Sequence, residues 1–168
     1  MTQTFDFGDG AVPAHQHPNG GGWVADTAQV ADTAYVGPDA VVFSNAVVSG
    51  NAVVTGYARV FGEAQVSGDA WVTGNARVYG NAWVFGYAEV SDKAVVSGWA
   101  RVFGNARVYG NAWVFGYAEV YGKAQVSDKA RVFGNARVSG TALVTGDALV
   151  TDDALVTDDA VLTYGTHT

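Results

Sequence analysis

The sequence repeats every six residues, and that period decides most of what the chain can fold into. Every sixth residue from Ala28 to Ala160 is alanine, 23 in succession; every sixth from Val24 to Val156 is valine, again 23, followed by Leu162. The unit reads Ala-x-Val-x-turn-turn. Ala and Val, two apart, point to the same side of an extended segment. On a helix they would stand on opposite sides, and a six-residue period does not match the helical one. After the valines, the first turn position is Gly 15 times and Asp 6 times, with Pro38 and Ser44 completing the set. Glycine enters the left-handed region freely, and Asp does so more readily than most residues. Each hexad is therefore a short strand and a corner. Three corners close a triangle, so about 18 residues make one coil and the repeat spans about seven to eight coils. At ~4.8 Å per coil the rod is about 35 Å long.

Composition agrees. Apolar residues make up 49% of the chain, but Ala, Val and Gly dominate, and Leu and Ile are nearly absent. An irregular interior needs mixed sizes to fill it; a core of two residue types implies one small space used many times. The expected fold is all-β: a single parallel β-helix, a triangular solenoid with little or no helix. Residues 1–21 form a lead-in able to fold over the first coil, 22–163 carry the repeat, and 164–168 are a short tail, too short for a capping helix.

The spacing resembles that of the hexapeptide-repeat family, whose unit places a small residue four positions after an aliphatic one, as in Val78 to Ala82 and Val84 to Ala88. The family's fold is a left-handed parallel β-helix; the left hand is implied by this resemblance, since right-handed crossovers are the general rule. Family members often carry Gly one position after the aliphatic residue, whereas here it comes two after. Gly74–Val90, GNARVYGNAWVFGYAEV, resembles more closely the GNARVYGNA-type repeat proteins of bacteria and their phages, and Gly20–Val24 looks like the entry to such arrays. That resemblance implies a fold and a setting but no activity.

Many hexapeptide β-helices are acyltransferases and some are carbonic anhydrases. The first use a His base beside a loop that breaks the coils; the second need a set of His ligands. Here the only histidines are His15, His17 and His167, outside the coils, and no loop interrupts the repeat. A catalytic base needs a shaped pocket, so no catalytic residue, cofactor or metal is expected and the chain reads as a non-enzyme, with an acyltransferase acting between subunits as the alternative. His15 and His17 alone are too few for zinc. The acidic end, with Asp147, Asp152, Asp153, Asp158 and Asp159, reads as solubilising corners that oppose end stacking, not as a calcium array, whose period is about nine. Lys129 and Asp147, one coil apart, could form a surface ion pair.

Positions flanking each Val point outward. On a first face the residue after Val runs Phe43, Phe61, Tyr79, Ser97, Phe115, Phe133, Thr151, and the residue before it Val41, Arg59, Arg77, Val95, Trp113, Arg131, Leu149. A second face carries Phe85, Phe103 and Tyr121 beside Trp83 and Arg101. A third is mostly Thr and Ser, with Tyr109 its single aromatic after Val. It raises an ice-binding alternative, set against by the bulky and charged rank of Trp71, Glu89 and Arg107 beside it. Arg and aromatic residues concentrate at interface centres, so the expected binding residues are Phe43, Arg59, Phe61, Arg77, Tyr79, Trp113, Phe115, Arg131 and Phe133. A stabilising ladder is the other reading. Gly74–Val90 recurs identically at Gly104–Val120; the 30-residue offset is not a whole number of coils, so Trp83 and Trp113 fall on different faces.

Net charge is −7, which argues against nucleic-acid and membrane-surface partners. No run is long and apolar enough to span a bilayer, the N-terminus lacks the features of a signal peptide, and cysteine is absent; a cytoplasmic location is expected. The expected role is a rigid scaffold that binds its own copies or another protein, with no small-molecule substrate; the resemblance to GNARVYGNA-type repeats implies a bacterial or phage accessory protein engaging a host component.

Overall fold

The computed structural model describes residues 3–168. Strands β1 (Thr4–Asp6), β2 (Ala11–Gln16) and β3 (Trp23–Ala25) come first; 24 two-residue strands, β4 to β27, then run from Gln29–Val30 to Thr166–His167. Among the described residues there is no helix, hence none long and apolar enough to cross a membrane. Every third strand pairs in parallel, Gln65 opposite Trp83 and Val66 opposite Val84, for example. The result is a β-solenoid of about eight turns of about 18 residues, walled by sheets of 11, 8 and 8 strands. The 11-stranded sheet is face 1; the sheets beginning at Gln29–Val30 and Tyr35–Val36 are faces 2 and 3.

The core is the two periodic columns. Each of their Ala and Val residues from Ala34 to Val144 is fully buried. Coil is tied to coil by hydrogen bonds such as Val95 N–H to the Ala112 carbonyl and Ser97 N–H to that of Val114, both 2.9 Å. With such small side chains inside, this ladder contributes much of the cohesion.

The corner rule holds from Ser44 to Asp158, where every first turn residue has positive φ. It fails at the first three corners, Asp26, Asp32 and Pro38, which do not. Proline's ring forbids that conformation, and these corners close with short turn bonds, Ala28 N–H to Ala25 O at 2.9 Å and Ala40 N–H to Gly37 O at 3.0 Å, which most later corners make at 3.1 to 3.4 Å. Later corners stack closely: a Cβ on Gly104 would lie 3.1 Å from the backbone nitrogen of Gly122. Asp92 and Asp128 are accommodated because their carboxylates accept that next corner's N–H, from Gly110 at 3.0 Å and Gly146 at 3.2 Å. The Thr145 hydroxyl also donates to Asp128. These two bonds, Thr145 first, hold the Asp128 carboxyl below the ordinary carboxylate value.

The ends differ. β2 pairs antiparallel with β3, so the β1–β2 hairpin extends face 1. Residues 19–22 cover the first strand of face 3, Gly22 N–H reaching the Val36 carbonyl at 2.9 Å. Among the described residues, nothing pairs with the outer edge of Gln29–Val30 on face 2. The terminal residues 164–168 are less of a free tail than their length suggests, because Thr166–His167 pairs with Leu149–Val150 on face 1. His15 pairs with Asp26 at 2.9 Å while His17 is buried. No group of three or more potential metal ligands occurs among the described residues. Lys129 and Asp147 do not pair; the ion pairs formed lie elsewhere.

Candidate functional site

The 18-residue register brings the nine expected binding residues onto face 1, in two groups. In the first, Phe43, Phe61 and Tyr79 stack at centroid separations of 4.8 Å. Arg59 lies 5.1 Å from the Phe43 ring, and Arg77 is 5.6 Å from both Phe61 and Tyr79. In the second, Phe115 stacks on Phe133 at 4.7 Å, Trp113 meets Phe115 edge-on, and Arg131 lies 5.8 Å from Trp113. Val95 and Ser97 occupy the coil between the groups, and both are buried.

Two features change the reading of this face. The rings after each Val stand half-buried, because stacking one coil apart covers their faces. Each such pair contributes about 0.2–1 kcal/mol to the sheet, so the ladder stabilises the rod in its own right. Phe43 and Arg59 are also taken up by the chain's own N-terminus. Phe7 stacks on Phe43 at 5.0 Å, and the Arg59 guanidinium donates to the Phe7 carbonyl while its Nε is buried without a partner. The outward part of face 1 therefore runs from Arg77 to Phe133, and Trp113, 46% exposed, is its most open ring.

The duplicated segment reproduces this local chemistry on face 2. Trp83 meets Phe85 edge-on at 6.5 Å and lies beneath Arg101 at 5.5 Å, as Trp113 does with Phe115 and Arg131. Beyond Trp83 the strand rank continues Arg101, Glu119, Arg137, with Glu119 held by both arginines at 3.5 and 3.6 Å. The neighbouring corner column carries Asn81, Trp99, Tyr117, Asn135 and Asp153. Strand rank and corner column together form an open groove of about 600 Å³. Trp99 and Tyr117 escape the face-by-face reading because they sit at the second turn position, neither before nor after Val. Sorting that corner column by 18 residues aligns them.

A second concavity, about 420 Å³ and mostly apolar, lies between the hairpin and the first coils, lined by Phe7, Val12, Pro13 and Phe43. No described histidine stands in either concavity.

A family model described as the YdcK beta solenoid repeat matches residues 64–80, 100–123, 124–140 and 130–146. No curated protein and no solved structure matches the chain. Together with the stacked coils, these segment matches support a β-solenoid repeat protein, similar over those residues to the YdcK repeat.

Proposed function

We propose that the chain is a non-enzymatic, rigid β-solenoid scaffold that binds protein through the outward part of face 1, by pairing with its own copies. The carrying observation is Trp113 with Arg131 above it and Phe115 and Phe133 beside it, a partly exposed aromatic patch on a flat, rigid wall. Apolar rings interleaved with Arg suit a desolvated interface centre, and a parallel wall without insertions loses little conformational freedom on docking. The resemblance of Gly74–Val90 to GNARVYGNA-type repeats supports a bacterial or phage accessory role in which the rod engages a host component.

The test is the solution mass by light scattering after size exclusion, for the parent and for Arg77→Glu with Arg131→Glu. Both arginines are exposed, so the changes leave the core intact. Self-pairing predicts a multiple of 17.4 kDa for the parent and 17.4 kDa for the double variant. A monomeric parent at micromolar concentration overturns self-pairing.

A further inference from the structure

The groove on face 2 differs in kind from the aromatic ladders. In the ladders each ring is covered by another, at 4.7 to 5.0 Å. Trp99 and Tyr117, 54% and 64% exposed, have no stacked ring and no guanidinium over them among the described residues. With Trp83, 40% exposed and lying beneath Arg101, they place three aromatic rings along one groove, on consecutive coils.

Polar groups lie beside them. Glu119 bridges Arg101 and Arg137, which sets donors and acceptors side by side along the groove. Asn81 and Asn135 flank the rings and can both donate and accept. The two arginines are balanced by Glu119 and Asp153, which leaves the groove neutral on a chain of net charge −7. A polyanion would need excess positive charge. An apolar peptide would need a dry floor, which ion pairs and amides do not supply.

Neutral sugars match this chemistry. A pyranose offers C–H faces that lie on aromatic rings and a rim of hydroxyls that donate and accept at fixed directions. The rise per coil, ~4.8 Å, is close to the length of one sugar unit in an extended chain, so successive coils can address successive units. We propose that the groove formed by Trp83, Trp99, Tyr117, Arg101, Glu119 and Arg137 binds a neutral, unbranched oligosaccharide, its sugar rings stacked on the aromatics and its hydroxyls bonded to the ion-paired side chains. This site is separate from the face 1 interface and does not depend on it.

The experiment is calorimetric titration of the full chain with cellohexaose, maltohexaose and the hexamer of N-acetylglucosamine, with heparin as polyanion. At least one hexasaccharide binds with millimolar affinity or better, and heparin does not. Trp99→Ala and Tyr117→Ala each weaken that binding ten-fold or more, whereas Trp71→Ala, a ring outside the groove, leaves it unchanged. Circular dichroism of each variant establishes that the solenoid is retained; Tyr117→Phe, which keeps the ring, retains most of the affinity. No heat with any neutral hexasaccharide, binding of heparin alone, or equal loss in Trp71→Ala overturns the proposal.

Discussion

Replacing Gly104 by alanine and by aspartate separates two contributions that the corners combine. Gly104 has φ +73°, and a Cβ there would lie 3.1 Å from the Gly122 nitrogen and 3.2 Å from its oxygen. Holding alanine in the left-handed region costs about 1–2 kcal/mol, and the close approach adds to that. The stiffer unfolded chain offsets about 0.4–1 kcal/mol, so Gly104→Ala loses about 1 kcal/mol net. Aspartate has the same Cβ, but its carboxylate can accept the Gly122 N–H, as Asp92 accepts that of Gly110. Gly104→Asp is therefore more stable than Gly104→Ala at pH 7. Equilibrium urea unfolding at pH 7 reads both comparisons. An alanine variant as stable as the parent, or an aspartate variant below alanine at pH 7, would refute the account of the corners.

Other perturbations test other parts of the rod. Val102→Ala removes two methyl groups from a fully buried site and costs about 2–3 kcal/mol, whereas Val161→Ala, 61% exposed, stays within about 0.5 kcal/mol; comparable unfolding midpoints for the two would contradict the burial pattern. Ser97→Phe fills the gap between Tyr79 and Phe115 and joins the two ladders of face 1, raising the thermal midpoint, since each added aromatic pair is worth about 0.2–1 kcal/mol. A lowered midpoint counts against the ladder as a source of stability. Asp128→Asn is less stable than the parent at pH 7, and the difference shrinks as pH falls below the ordinary carboxylate value of 3.8, because the folded-state pKa is depressed; a pH-independent difference would dissociate the effect from the Thr145 and Gly146 bonds.

The period made the solenoid legible because a six-residue repeat admits few other closures, and the Ala and Val columns are the core in the structure. Two things were hidden. One was the N-terminal hairpin: nothing in the hexad pattern says that Phe5 and Phe7 will cover Trp23 and Phe43, because that segment lies outside the repeat. The other was the corner column: Trp99 and Tyr117 occupy a position whose usual residue is a solvated Asn, Asp, Thr or Lys. The Arg and aromatic face was legible as a placement, but its half-burial was not. Alternation assigns a side chain to the outside of a strand, and only the coil spacing brings the next ring near enough to cover it.

Amide hydrogen exchange by NMR tests the stacked-coil architecture most directly. Strand amides such as those of Val95, Ser97 and Arg101 donate to the next coil at 2.9 Å and exchange slowly and uniformly through the middle of the rod. Among the described residues the corner glycine amides from Gly50 to Gly140 have no backbone acceptor, so Gly86, Gly104 and Gly116 exchange fast, while Gly110, bonded to Asp92, is slowed. Slow exchange at all corner glycines alike, or fast exchange at the mid-rod strand amides, would contradict the fold described above.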